Sequence, residues 1–126
     1  MEHPRAGERM RLAFLFLAAA LVIGLACNNP TGGNTCKAVA ADVSIDARDQ
    51  GGFSPTPVTV SSVDRVCWQN LGTITHTVTT VVPATDTIDE ALPPDAVFDH
   101  VFSTRGSDIH YYCKYHPAET GLIQVR

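Results

Sequence analysis

Three features of the chain predict an all-β fold of the sandwich type. About 90 residues from Thr35 onward carry seven or so short apolar alternations and no long stretch of helical period. Turn signals rich in Gly, Pro, Asp and Ser separate these alternations. Residues 75–82 are dominated by Thr and Val, which suit a pleated, half-buried surface.

The elements follow in order along the 126 residues. Residues 1–26 read as an export signal, because Arg5, Arg9 and Arg11 precede an uninterrupted apolar run over 12–26. As a helix that run would reach about 22 Å, short of the roughly 30 Å hydrocarbon core of a bilayer, so a permanent span is the weaker reading. Residues 27–35 are a polar, Gly-rich linker with no means of burying a core. Cys27 at its start resembles the lipid-attachment cysteine of bacterial lipoproteins. Their cleavage motif usually has Leu three residues before the cysteine; here Gly24 holds that place and Leu25 is two before. Ordinary secretion, with Cys27 lost or left as a free thiol, is the alternative. Either reading puts the domain, 36–126, outside the cytoplasm, in the periplasm or at the cell surface, and the first tethers it to the membrane through Cys27.

Within the domain, residues 39–46 alternate with odd positions apolar, a strand with one buried face. Gly51 and Gly52 break it. Pro55 and Pro57 lead into a strand at 58–60, in an edge or entry position. Residues 66–70 form a further strand with Val66 and Trp68 on one face, and 75–82 another. The acidic, Pro-bounded stretch 83–95 reads as a solvated connection with one helical turn around 89–92; its carboxylates lack the spacing of a calcium loop. Residues 97–102, 109–113 and 122–125 complete the strands.

Four cysteines in an exported chain ordinarily imply two disulfides. Strand parity suggests otherwise. Cys113 shares a face with Ile109 and Tyr111 and points inward, whereas Cys36 and Cys67 fall on outward positions and form the natural bridge. Closing that loop would contribute roughly 3 to 4 kcal/mol on a chain-entropy account. The competing pairing of Cys67 with Cys113 would remove the thiol from any metal site.

The densest chemistry lies in residues 111–125, where Cys113, His116 and Glu119 stand between two strand-like runs. His76 shares a face with Val78 and converges on the same end of a sandwich, while parity puts His100 and His110 on outward, solvated positions. A thiolate with imidazoles is a soft, mixed donor set that suits copper or zinc, since calcium and magnesium take oxygen. Phosphate-cradling Gly loops, a Ser nucleophile elbow and an HExxH helix are all absent from the sequence.

Phe53-Ser54-Pro55, Val66-Cys67-Trp68-Gln69-Asn70, His76-Thr77-Val78, Gly106 and Cys113-x-x-His116-Pro117-x-x-x-Gly121 together resemble a cupredoxin of the plastocyanin and amicyanin type. The resemblance spans about 39–125 and implies a Greek-key β-sandwich of seven to eight strands. It also implies one copper ion held by His76, Cys113 and His116, with His116 at the solvent edge where electrons enter and leave. Thr77 would stand where many members have Asn, which rigidifies the loop. The departure is axial: members with this short loop carry Met three residues after the second histidine, and this chain has Glu119. An inward carboxylate must be paired, coordinated or protonated, so Glu119 is expected as an axial oxygen ligand, the alternative being that it turns to solvent.

The leading expectation is a small, non-enzymatic, monomeric electron carrier that docks a redox partner protein around His116, with Tyr115 and Pro117 as an apolar rim. The alternatives are a copper sequestration or delivery module and a cupredoxin-like interaction domain that is metal-free or holds zinc. A catalytic copper oxidase is disfavoured, because the chain lacks the several extra histidines of multicopper enzymes. From Cys27 onward six Lys and Arg face eleven Asp and Glu, a net charge of −5, so nucleic acid is excluded as a partner class.

Overall fold

The computed structural model describes residues 35–126; the stretch 1–26 expected to be an export signal, Cys27 and most of the expected linker lie outside the described residues. Nine strands follow in order: β1 (Val43–Arg48), β2 (Gly52–Ser54), β3 (Val58–Val60), β4 (Arg65–Asn70), β5 (His76–Thr80), β6 (Asp89–Leu92), β7 (Val97–Val101), β8 (Asp108–Tyr112) and β9 (Thr120–Val125). They form two mixed sheets, ordered β2-β1-β4-β7 and β3-β9-β8-β5-β6, with β1 parallel to β4 and β3 parallel to β9. Among the described residues there is no helix.

Alternation explains the packing. In the first sheet Ile45 pairs in register with Trp68 and Val43 with Val66, so one face of each strand is apolar and turned to the second sheet. In the second, Ile109 lies opposite Ile123 and Tyr111 opposite Gly121. Gly121 is required there, because a Cβ at that position would lie 2.0 Å from Cζ of Tyr111. Trp68 is fully buried at the centre, stacked on Phe98 at 5.7 Å between ring centroids and edge-on to Tyr111 at 5.5 Å. Rings of this size bury about 150–250 Å² each and dominate the core energetics. Burial pushes the Tyr111 phenol up to about 12.

Four differences from the sequence expectation have physical reasons. Residues 39–42, expected as the start of the first strand, lie outside it: 36–40 are turns, with Ala38 N–H donating to the Thr35 carbonyl and Ala41 N–H to the Cys36 carbonyl, and the strand begins at Val43. This segment folds over the outer face of the first sheet, where Cys36 is disulfide-bonded to Cys67, and both cysteines are buried although Cys67 faces away from the core. Residues 52–54, expected only as a break and lead-in, form the short strand β2 against β1. Residues 89–92 are not a helical turn: they pair antiparallel with β5, placing Leu92 opposite His76. Three of the four β6 residues are exposed, so the segment shows no readable alternation, and it forms because β5 would otherwise present unpaired backbone groups. Finally, His100 lies opposite Val66 and therefore faces inward at the sheet margin, half-buried, with its ring 4.7 Å from that of Phe102 and Nε2 3.3 Å from Asp86 Oδ1. His110 is exposed.

Candidate metal centre

The ends of β1, β4, β6 and β8 and the starts of β2, β5, β7 and β9 meet at one end of the sandwich. β8 stops at Tyr112, and residues 113–119 close on themselves: His116 N–H donates to the Cys113 carbonyl at 3.2 Å, Glu119 N–H to the His116 carbonyl at 2.8 Å, and Cys113 N–H to the Glu119 carbonyl at 3.0 Å. The tight loop turns the side chains of Cys113, His116 and Glu119 to one side, where His76 at the start of β5 faces them.

One ligand atom from each of these four residues lies within 4.8 Å of all the others. Nδ1 of His76 is 2.9 Å from Oε2 of Glu119, Nδ1 of His116 is 3.6 Å from the same oxygen, and Sγ of Cys113 is 3.5 Å from Nδ1 of His116. Glu119 thus faces the cluster and not solvent. His76 and Cys113 are fully buried, whereas the His116 side chain is 36% exposed, so one imidazole alone reaches the surface. Each histidine directs Nδ1 to the cluster.

The surroundings hold the donors in place. The Thr77 backbone N–H points at Cys113 Sγ at 3.4 Å, and Thr77 Oγ1 accepts the Lys114 N–H at 2.8 Å, tying the residue after the thiol to β5. Thr79 Oγ1 donates to Asp89 Oδ1 at 3.1 Å and so accepts from Thr77 Oγ1 at 3.0 Å; Lys114 Nζ closes the ring on Asp89 Oδ2 at 2.6 Å. The Lys114 ammonium holds the Asp89 carboxyl below its usual range, and Asp89 in turn raises Lys114.

Two groups before His76 support the site without any role that the sequence pattern assigns to them. Asn70, fully buried, donates from Nδ2 to the carbonyls of Ile74 and Leu92 and accepts the Gly72 N–H, fixing the turn that delivers His76. Asp49, in the β1–β2 turn, accepts from the Thr73 hydroxyl, the Thr73 N–H and the Ile74 N–H. These donors, the Thr73 hydroxyl foremost, hold its carboxyl below the usual range.

The donor set fits one metal ion. Two imidazoles, a thiolate and a carboxylate match copper or zinc chemistry. Gly52 leaves the room the carboxylate arm needs, since a Cβ there would lie 3.0 Å from Glu119 Cβ.

The fold has solved counterparts. The described sandwich matches a purple cupredoxin from Nitrosopumilus maritimus with a TM-score of 0.59 and 24% identity, over 68% of this chain and 100% of that one. The fold is that of the cupredoxins. The same cupredoxin fold matches an amicyanin variant in its reduced Cu(I) form at pH 4 (TM-score 0.58, 20% identity, 67% of this chain and 81% of that one). It also matches a copper-containing nitrite reductase from Thermus scotoductus at 16% identity and a TM-score of 0.58, over 67% of this chain but 22% of that one. No protein-family model and no curated protein matches the chain. Within this cupredoxin fold His76, Cys113, His116 and Glu119 come together, whereas His100 lies at a sheet margin against Asp86 and Phe102 and His110 is exposed.

Proposed function

We propose that the chain is a small extracytoplasmic copper protein that carries electrons, holding one copper at His76, Cys113 and His116 with Glu119 as an axial oxygen ligand. The observation that carries this reading is the convergence of two imidazole nitrogens, a buried thiol and a carboxylate oxygen within 4.8 Å. Bound copper would supply a one-electron couple between Cu(I) and Cu(II). The chain does the rest. The Thr77 N–H stabilises negative charge on the Cys113 sulfur, the loop hydrogen bonds restrict rearrangement when the charge at the site changes, and burial of His76 and Cys113 excludes water.

A carboxylate in the axial place is a hard, anionic donor that favours Cu(II), so the potential is expected below that of a site with an axial Met and the colour shifted from pure blue. That one structural neighbour is named a purple cupredoxin supports the colour part of this reading. His116 is the route for electrons, and the apolar surface around it, with Tyr115, Leu71 and Ile74 exposed, suits transient docking of a redox partner. Anchoring through Cys27 would keep the protein beside membrane-bound partners.

Stopped-flow exchange separates the carrier from a delivery module. Rapid, reversible oxidation and reduction by a small-protein redox partner, with copper retained, is the expected result. Slow exchange together with transfer of copper to an apo-acceptor would overturn the carrier role.

A further inference from the structure

The β1–β2 turn donates no candidate ligand, yet it packs directly against the metal centre. Gly52 abuts the arm of Glu119, and Asp49 sits behind His76. Nε2 of His76, on the far side of the ring from the cluster, is buried and has no hydrogen-bond partner. The anionic oxygen set against it is Asp49 Oδ1, at 3.7 Å. That is a charge contact rather than a hydrogen bond.

Asp49 is held in place by the loop opposite. Three donors from Thr73 and Ile74 converge on its carboxylate. Gly72 is what lets that carboxylate in, because a Cβ at 72 would lie 1.9 Å from Asp49 Oδ1. A carboxylate clamped by another loop and aimed at the outer nitrogen of a buried, metal-facing imidazole has one evident electrostatic consequence. It favours the tautomer with the proton on Nε2, which frees Nδ1 for a metal, and it raises the electron-donor strength of the ring.

We propose that Asp49 is a positioning residue of the metal centre, the anionic outer partner of His76 that sets its tautomer and strengthens it as a ligand to Cu(II). This rests on the copper reading above. Asp49 and Glu119 then act in the same direction, adding negative charge on two sides of the site.

The test compares the purified wild-type protein with Asp49→Asn and Thr73→Val, each titrated with Cu(II) and Cu(I) and examined by visible absorption and voltammetry. Asp49→Asn keeps an oxygen acceptor for the loop and loses the charge. It should weaken Cu(II) about 10–100-fold while changing Cu(I) little, which at about 59 mV per tenfold for one electron is a rise in potential of about 60–120 mV. Thr73→Val loosens the same loop but keeps the carboxylate. It should change Cu(II) affinity by less than about threefold, since losing an outer partner outright costs about tenfold or more. Asp49→Glu should recover part of the Asp49→Asn loss.

A wild-type thiolate-to-copper band with Asp49→Asn indistinguishable from wild type, or with Asp49→Asn and Thr73→Val shifted equally, overturns the role of Asp49 and leaves the copper reading intact. A wild type that binds no copper overturns both. Should Asp49→Asn not fold, NMR of the wild-type Cu(I) protein decides: a His76 Nε2–H proton that resonates downfield of the Nε2–H proton of His116 and exchanges slowly supports the pairing, and a His76 Nε2–H that resonates no further downfield or exchanges as fast overturns it.

Discussion

At position 119 a carboxylate oxygen lies 2.9 Å from Nδ1 of His76 and 3.6 Å from Nδ1 of His116. Glu119→Met should therefore raise the reduction potential by at least the 59 mV or so that corresponds to about a tenfold change in valence preference, and Glu119→Gln by less; an unchanged potential and spectrum in both would remove Glu119 from the ligand set. Asn70 makes a separate prediction. Its three hydrogen bonds, one of them buried and two part-buried, hold the turn before His76, so Asn70→Ala should destabilise by about 1–3 kcal/mol in urea unfolding. Cys113 and His116 are legible in the sequence because they stand three residues apart in one loop, and His76 because its parity matches Val78. Asp49 is not, because its partners lie 24 residues away in a different loop and no local pattern records such a contact. Glu119 is legible as a departure in type, while its direction depends on how the loop closes.

Elements differ in how much sequence periodicity says about them. β4, β8 and β9 alternate between core and outer face, and their side-chain directions follow from that alone. β6 does not, since its lone core residue is Leu92, and nothing in a stretch of Asp, Glu and Ala signals that the edge of β5 needs a partner. Parity misplaces His100 because β7 is half-buried along most of its length, which leaves its two faces without contrast. The 35–41 segment is held to the sandwich mainly by the Cys36–Cys67 bond, whose ends are 31 residues apart. Replacing both cysteines by Ser should lower stability by about 3–4 kcal/mol and leave the metal-site spectrum unchanged, which denaturant unfolding and visible absorption would check together. At the β1–β2 turn Gly52 has φ +65° and closely abuts Glu119. Gly52→Ala should alter the copper spectrum in the wild-type background and add nothing when Glu119 is already Gly, which removes the side-chain atoms that a Cβ at 52 would meet.

For the whole molecule, the all-β class is readable from alternation and turn chemistry, whereas strand order is not, because β1 with β4 and β3 with β9 are parallel pairs from distant parts of the chain. The buried aromatic core makes an alkaline prediction. Tyr111 holds its proton more tightly folded, at about 12, than at its ordinary 10.0; the stability this contributes is complete below about pH 10 and is lost as pH rises toward about 12. Tyrosinate absorbance from Tyr111 should therefore appear together with loss of the folded signal, and Tyr111→Phe should remove that step. The central claim is that His76, Cys113, His116 and Glu119 form one copper site, and copper titration of the purified, zinc-free protein under oxidising conditions tests it most directly. An intense thiolate-to-copper absorption band saturating at one copper per chain, lost in Cys113→Ser, is the predicted result; no such band from the wild type would contradict the claim.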